Sequence, residues 1–191
     1  IKVQNLPSFL TSITNEDIQG VMSALHGLKN NKLDIVLHSP GGSLEAVEQI
    51  VNYLRNKYEY IRVIVPQNAM SAATMLACAA DLIIMGKHSA IGPIDPQITF
   101  PTETGYFTAP AQSILDEFQL AKQEIKDDPA TAPIWVRRLD KYPIGFLKIC
   151  ENTIELSKEI VKKWLETWML KNDPNKVEKA ERIANWLSNT N

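Results

Sequence analysis

Three apolar runs, residues 33–38, 61–65 and 82–85, alternate with segments of helical periodicity. This alternation limits the fold more than any other feature of the chain. The runs read as strands, and 61–65 is rich in β-branched residues. Between them, 43–58 reads as a helix with Leu44, Val47, Ile50, Val51 and Leu54 on one stripe, and 71–80 as a helix of small residues. A further helix is expected before them, over 15–28. Ile18, Val21, Met22, Leu25 and Leu28 line one face, Asn15 is its N-cap, and Glu16 and Asp17 suit the positive helix start. A βαβαβ order calls for parallel strands joined by right-handed crossovers. Near-continuous apolar strands fit a sheet covered on both faces, and the ligand site of such a sheet lies beyond the carboxyl ends of its strands.

The middle, 89–109, is turn-rich, with Pro93, Pro96 and Pro101, and is expected to hold short strands and a hairpin around Thr104-Gly105. A helix over 113–126 follows, then a proline-containing loop over 128–133. Two more helices are expected, 152–171 and 177–187. Trp164 and Trp168, four apart, share a stripe that serves either the core or a subunit contact. The expectation is an α/β chain in one domain overall. Residues 1–130 form its core, and a helical region, 131–191, packs on that core or on a partner subunit. The first residue is Ile1, so the chain is expected to be a fragment of a longer protein.

Composition narrows the partners. The net charge is −2, which does not favour nucleic acid or an anionic membrane surface. No apolar stretch reaches the ~20 residues that span a bilayer; the longest, around Met75 to Met85, is broken by Asp81. The expected location is the cytoplasm, with membrane association only through a segment outside this chain. Cys78 and Cys150 lie in apolar helical patterns without metal-site spacing and read as buried free thiols. Neither a cofactor nor a metal is expected.

Two short segments carry chemistry. Ser39-Pro40-Gly41-Gly42 ends the first strand, and Asn68-Ala69-Met70-Ser71-Ala72 lies between the second strand and its helix. Both fall at carboxyl ends of strands in one sheet. Acyl hydrolysis needs a nucleophile, a proton acceptor and donors aimed at the developing oxyanion. Ser71 can be the nucleophile. The backbone N–H of Ala72 can be one oxyanion donor, and that of Gly41 or Gly42 the second. Glycine suits a place where the backbone must approach a substrate without a Cβ. Each piece alone has a plainer reading: Ser71 as an N-cap, Pro-Gly-Gly as a turn.

Together these segments resemble the Clp-type and signal-peptide-peptidase class of serine proteases, within the crotonase-like fold. The prokaryotic serine dehydrogenase proteinase family is the nearest match. It shares runs like Leu37-His38-Ser39-Pro40-Gly41-Gly42, Val65-Pro66 through Ala69-Met70-Ser71, Ala79-Ala80-Asp81, Gly92-Pro93-Ile94-Asp95-Pro96-Gln97 and Pro110-Ala111-Gln112-Ser113-Ile114. The resemblance covers about residues 33–126. It implies a superhelical fold of ββα units with a helical C-terminal region, and a serine endopeptidase with Ser71 as nucleophile and the diglycine turn as oxyanion site. It also implies a polypeptide substrate held as an added strand, and a homo-oligomer.

The proton acceptor departs from the family pattern. Clp-type proteases take a histidine from a place that falls here near Ile94 or Asp95, and the membrane proteases take a lysine from a place that falls near Gln112 or Ser113. Neither residue is present there. Lys122 is the candidate base, on the right helix but roughly 14 Å along it. Asp95 can orient a base or a water, and its plainer role is to start the turn before Pro96. Lys126 and His88 are weaker candidates, His38 reads as structural, and His26 lies on a surface helix. A base from beyond Asn191 is a further source. Two rivals stand beside the peptidase: a catalytically silent relative that binds peptide or assembles partners, and a crotonase-type acyl-thioester enzyme.

Overall fold

The computed structural model describes residues 11–102 and 105–188. Its first elements are α1 (Asn15–Ala24), β1 (Lys32–Val36), α2 (Leu44–Lys57), β2 (Tyr60–Val65), β3 (Asn68–Ala69), α3 (Ala72–Cys78), β4 (Leu82–Met85) and β5 (Ala90–Ile91). β1, β2 and β4 form a parallel sheet in that order, with Asp34 opposite Arg62 and Arg62 opposite Leu82. β3 and β5 pair, also in parallel, as a second small sheet. The result is the expected α/β architecture, parallel sheets with C-terminal helices and no closed barrel among the described residues.

The described chain forms two compact units, each with its own core. The first takes residues up to 94 and from 159 onward; the second takes 95–158. In the first, α2 and α3 cover one face of the three-stranded sheet. Val47, Ile50, Val51 and Leu54 meet Val63, Val65, Met75 and Leu76, and Val161, Trp164, Leu165, Ala184 and Leu187 complete the core. Every residue of α3 is buried, which explains its alanines: only small side chains let a helix sit this close to its neighbours. The tryptophan stripe therefore serves the core here, with the Trp164 and Trp168 rings 6.2 Å apart. The other sheet face carries Asp34, Arg62, Val36 and Ile84 and is exposed or half-buried among the described residues, so the expected cover on both faces is not met there.

The second unit holds an antiparallel hairpin, β6 (Gln97–Thr102) and β7 (Gly105–Pro110), then α4 (Ala111–Asp127), a 3-10 turn (Pro129–Thr131), α5 (Ala132–Leu139) and the start of α6 (Phe146–Thr167). α6 ends in the first unit, where α7 (Lys176–Ser188) follows. The hairpin core is aromatic: Phe100 packs on Phe146 at 4.8 Å between ring centres, with Ile114, Cys150 and Ile154 around it. Of the expected hairpin turn, Thr104 lies outside the described residues.

Several boundaries differ from the sequence reading. α1 is capped by Thr14 rather than Asn15, because the Asp17 carboxylate accepts the Thr14 N–H at 2.7 Å and its hydroxyl at 3.1 Å. It stops at Ala24, before Gly27 with φ 75°. Pro133 sits in the first turn of α5, where a missing N–H costs nothing, so the expected loop runs into a helix. α6 starts directly after Gly145, six residues earlier than periodicity implied. Cys78 and Cys150 are free and buried, and burial pushes the Cys78 thiol up to about 12.

Candidate active site

Ser71 occupies a strained turn. Its φ of 51° and ψ of −124° make it the only described non-glycine residue with positive φ. Such backbone costs about 1–3 kcal/mol and persists only where its surroundings over-determine it. Here they do. The Ser71 N–H donates to the Pro93 carbonyl at 3.0 Å, and its own carbonyl accepts the Met75 N–H at 3.2 Å. On either side, Met70 N–H donates to Ser39 O at 3.0 Å and Ala73 N–H to Met70 O at 3.0 Å.

The diglycine turn lies against this serine. A methyl group on Gly41 would stand 2.7 Å from Ser71 Cβ, 2.8 Å from Met70 O and 3.3 Å from Ala72 N. One on Gly42 would stand 2.1 Å from Ile13 O. Both glycines have positive φ, 111° and 145°, so any side chain there would be strained as well as crowded. The two turns, about thirty residues apart in sequence, thus meet at the strand ends. The Gly41 N–H is engaged, donating to Ser39 Oγ at 3.2 Å. The Gly42 N–H has no partner among the described residues. The Ala72 N–H belongs to the first turn of α3, where amides lack an intrahelical acceptor.

Two residues to which the sequence reading gave no role of their own hold the site. Thr74, fully buried, places its hydroxyl 2.7 Å from Ala69 O and 3.0 Å from Gly92 O, and accepts the Gly92 N–H at 3.2 Å. It ties the β3 and β5 ends to the helix behind Ser71. Ser39 Oγ reaches Thr11 O at 2.9 Å and Gly41 O at 3.2 Å, fixing the diglycine turn from below. The signal for Ser39 was its place before Pro40. Thr74 carried none, since a threonine inside an alanine-rich helix reads as a spacer.

Behind α3, Arg55 donates to Ala79 O and pairs with Asp81 at 2.7 Å; the two side chains are only 7% and 4% exposed. Asp81 also takes the Ile61 N–H at 2.9 Å and Lys171 Nζ at 2.8 Å. Burial alone would raise the Asp81 carboxyl, but the bonds from Lys171, Ile61 and Arg55 outweigh it and hold it below the usual range. This cluster anchors the end of α3 opposite the serine.

Ser71, Ala72, Gly41 and Gly42 come together in the first unit. Asp95 and Lys122 belong to the second. Asp95 is 5% exposed; Oδ1 accepts the Gln112 N–H at 3.4 Å and Oδ2 has no hydrogen-bond partner among the described residues. Burial pushes this carboxyl above the usual range, the Gln112 N–H opposes the rise, and the Asp116 charge adds to it. Lys122 is exposed on α4. The Ser71 hydroxyl makes no hydrogen bond to any described residue. His38 Nδ1 accepts the Asn68 N–H at 3.3 Å, a structural link between the two turns. His88 stands in the exposed Gly86–Ser89 turn.

The family described as ClpP-like SDH-type serine proteinase matches residues 4–190. Two uncharacterized proteins of Methanocaldococcus jannaschii are similar: one is 39% identical over 100 residues, 52% of this chain and 33% of that one. The other is 36% identical over 117 residues, 61% of this chain and 37% of that one. The chain spans about a third of the length of these curated relatives. Among solved structures, a serine-to-alanine mutant of the 1510-N membrane-bound stomatin-specific protease aligns at a TM-score of 0.44 and 20% identity, over 60% of this chain and 58% of that one. A lysine-to-alanine mutant of the same protease, in complex with a substrate peptide, aligns at 0.42 and 24%, over 56% and 51%. No helix among the described residues is long and apolar enough to cross a membrane.

Proposed function

The chain belongs to the ClpP-like SDH-type serine proteinases, and on that premise we propose that it is the nucleophile-bearing core of a serine endopeptidase acting on extended polypeptide. Membership points to a serine-protease-like hydrolytic function. The finer assignment rests on one observation: a strained serine turn pressed against a diglycine turn. In this reading Ser71 Oγ attacks the substrate carbonyl carbon while a base takes its proton. The carbonyl oxygen becomes an oxyanion facing the Gly42 and Ala72 amides, with Gly41 holding the turn. Collapse breaks the peptide C–N bond, the amine leaves with a proton, and the acyl group stays on Ser71 as an ester that water hydrolyses. Lys122 is the proposed base within this chain and Asp95 the proposed group orienting it or a water. A homo-oligomer, and a membrane anchor outside this chain, belong to the same proposal.

A second reading has one observation in its favour. The Ser71 hydroxyl lacks a hydrogen-bonded base among the described residues, which suits a catalytically silent peptide-binding relative. Labelling with a fluorophosphonate probe separates the two. The peptidase reading expects labelling of the longer protein that contains this chain and its loss in Ser71→Ala. Absence of labelling in that longer protein favours the silent relative. Turnover of an acyl thioester without labelling favours crotonase-type chemistry.

A further inference from the structure

Residues 11–13 run beside the diglycine turn and have no role in the reaction proposed above. Ile13 bridges Gly42 in parallel. Its N–H donates to Gly41 O at 2.7 Å, and its carbonyl accepts the Ser43 N–H at 2.8 Å. In a parallel ladder, a residue that bonds both neighbours of its partner leaves the partner's own N–H and C=O turned to the other side. Gly42 is that partner. The peptide unit itself requires the same. Gly41 O and the Gly42 N–H lie in one plane on opposite sides of a trans bond, and no described peptide bond is cis. With Gly41 O pointed at Ile13, the Gly42 N–H points away from it and meets no acceptor among the described residues.

The glycines do not fix this orientation by themselves. A peptide between two glycines can turn over by opposite rotations on either side of it, because neither residue has a Cβ to oppose the change. What holds it is the strap. Ile13 packs against the core of the first unit. An added Cβ on Gly42 would stand 2.1 Å from Ile13 O and 2.5 Å from Ile13 N, so the two backbones are in contact. Ser39 Oγ, 2.9 Å from Thr11 O and 3.2 Å from Gly41 O, ties the strap and the turn together.

We propose that the Ile13 N–H is a positioning group for hydrolysis: by holding Gly41 O, it keeps the peptide between Gly41 and Gly42 turned so that the Gly42 N–H is offered to the oxyanion. This role presupposes the peptidase reading and deepens it. Without the Ile13 bond the peptide turns over in a share of the molecules. It then presents a carbonyl oxygen where the oxyanion forms, and like charge repels like. Ile13 acts through Gly42 and not on the reacting atoms.

The test uses the longer protein that contains this chain and the fluorophosphonate probe, whose phosphonyl oxygen takes the place of the oxyanion during attack. Two variants separate the donor from the packing. Replacing Ile13 by its α-hydroxy acid keeps the side chain and turns the N–H into an ester oxygen. Ile13→Ala keeps the N–H and gives up packing. The ester is expected to lower the maximal labelling rate of Ser71 about tenfold at an unchanged half-saturating probe concentration. Ile13→Ala, with the donor back in place, is expected to recover that rate to within about twofold of wild type although it melts lower. Amide exchange on the wild type needs no variant: exchange at Ile13 is expected to be slow throughout, and exchange at Gly42 to slow at least about tenfold once Ser71 carries the phosphonyl group. Labelling that the ester leaves intact, labelling lost in Ile13→Ala in step with its melting, or a Gly42 amide that exchanges as fast in the adduct as before overturns the proposal while the peptidase reading stands. No labelling of the wild type overturns the peptidase reading and the proposal with it.

Discussion

Gly41 and Ser71 are packed so tightly that no side chain fits between them: a Cβ on the glycine would lie 2.7 Å from that of the serine. The close approach sets the diglycine turn against the start of α3, with the Ala72 N 3.3 Å from that added Cβ. Gly41→Ala adds a clash with Met70 O and Ser71 and forces alanine to φ 111°. It is expected to destabilise the protein by about 1–3 kcal/mol and to cut Ser71 labelling at least about tenfold. Thermal melting and probe labelling read the two effects.

Ser71 itself carries strain that a glycine would not. Ser71→Gly should therefore melt higher than Ser71→Ala, by about 1 kcal/mol in stability, although both lack the hydroxyl and neither should label. Equal melting of the two variants would show that the φ of 51° costs the fold nothing.

Thr74→Val keeps the shape of the side chain and removes its hydroxyl. The Ala69 and Gly92 carbonyls then lose a buried donor. The expected cost is about 1–3 kcal/mol by urea denaturation, with weaker Ser71 labelling because the β3 and β5 ends lose their tie.

Asp81 and Asp95 predict opposite pH behaviour. The folded Asp81 carboxyl is held low, so its stabilisation is present above the unfolded carboxylate value and is lost as pH falls through the depressed one. Asp81→Asn should flatten acid denaturation on that side and, by leaving Arg55 buried and unpaired, cost about 3–5 kcal/mol. The folded Asp95 carboxyl is held high, so its contribution is greatest below the unfolded value and is lost as pH rises through the raised one. Asp95→Asn should thus be no less stable than wild type at neutral pH. Denaturation midpoints measured across the acid range decide both.

Much of the first unit was legible in the chain. The strand–helix alternation, the stripe on α2 and the small-residue α3 follow from local periodicity, which a single segment carries within itself. The two-residue β3 was not legible, because a strand that short has no period, and β5 was read only as one of the short strands expected over 89–109. The second unit was read less well. Pro133 and Gly145 marked helix starts there, yet both residues serve equally in loops, and only the packing of α5 and α6 tells the uses apart.

The candidate site divides in the same way. The order of residues settles which groups are on hand: a hydroxyl at Ser71, two glycines able to take positive φ, and no histidine or lysine at the family's two places. Only the folded arrangement shows that Gly41 abuts Ser71, that the Gly41 amide is spent on Ser39 while that of Gly42 has no partner among the described residues, and that Thr74 braces the turn. The reason is physical. Availability is a property of one residue's covalent structure. Convergence of turns about thirty residues apart depends on strand order and on how closely the alanine-rich α3 approaches its neighbours, and no local stretch of sequence encodes that.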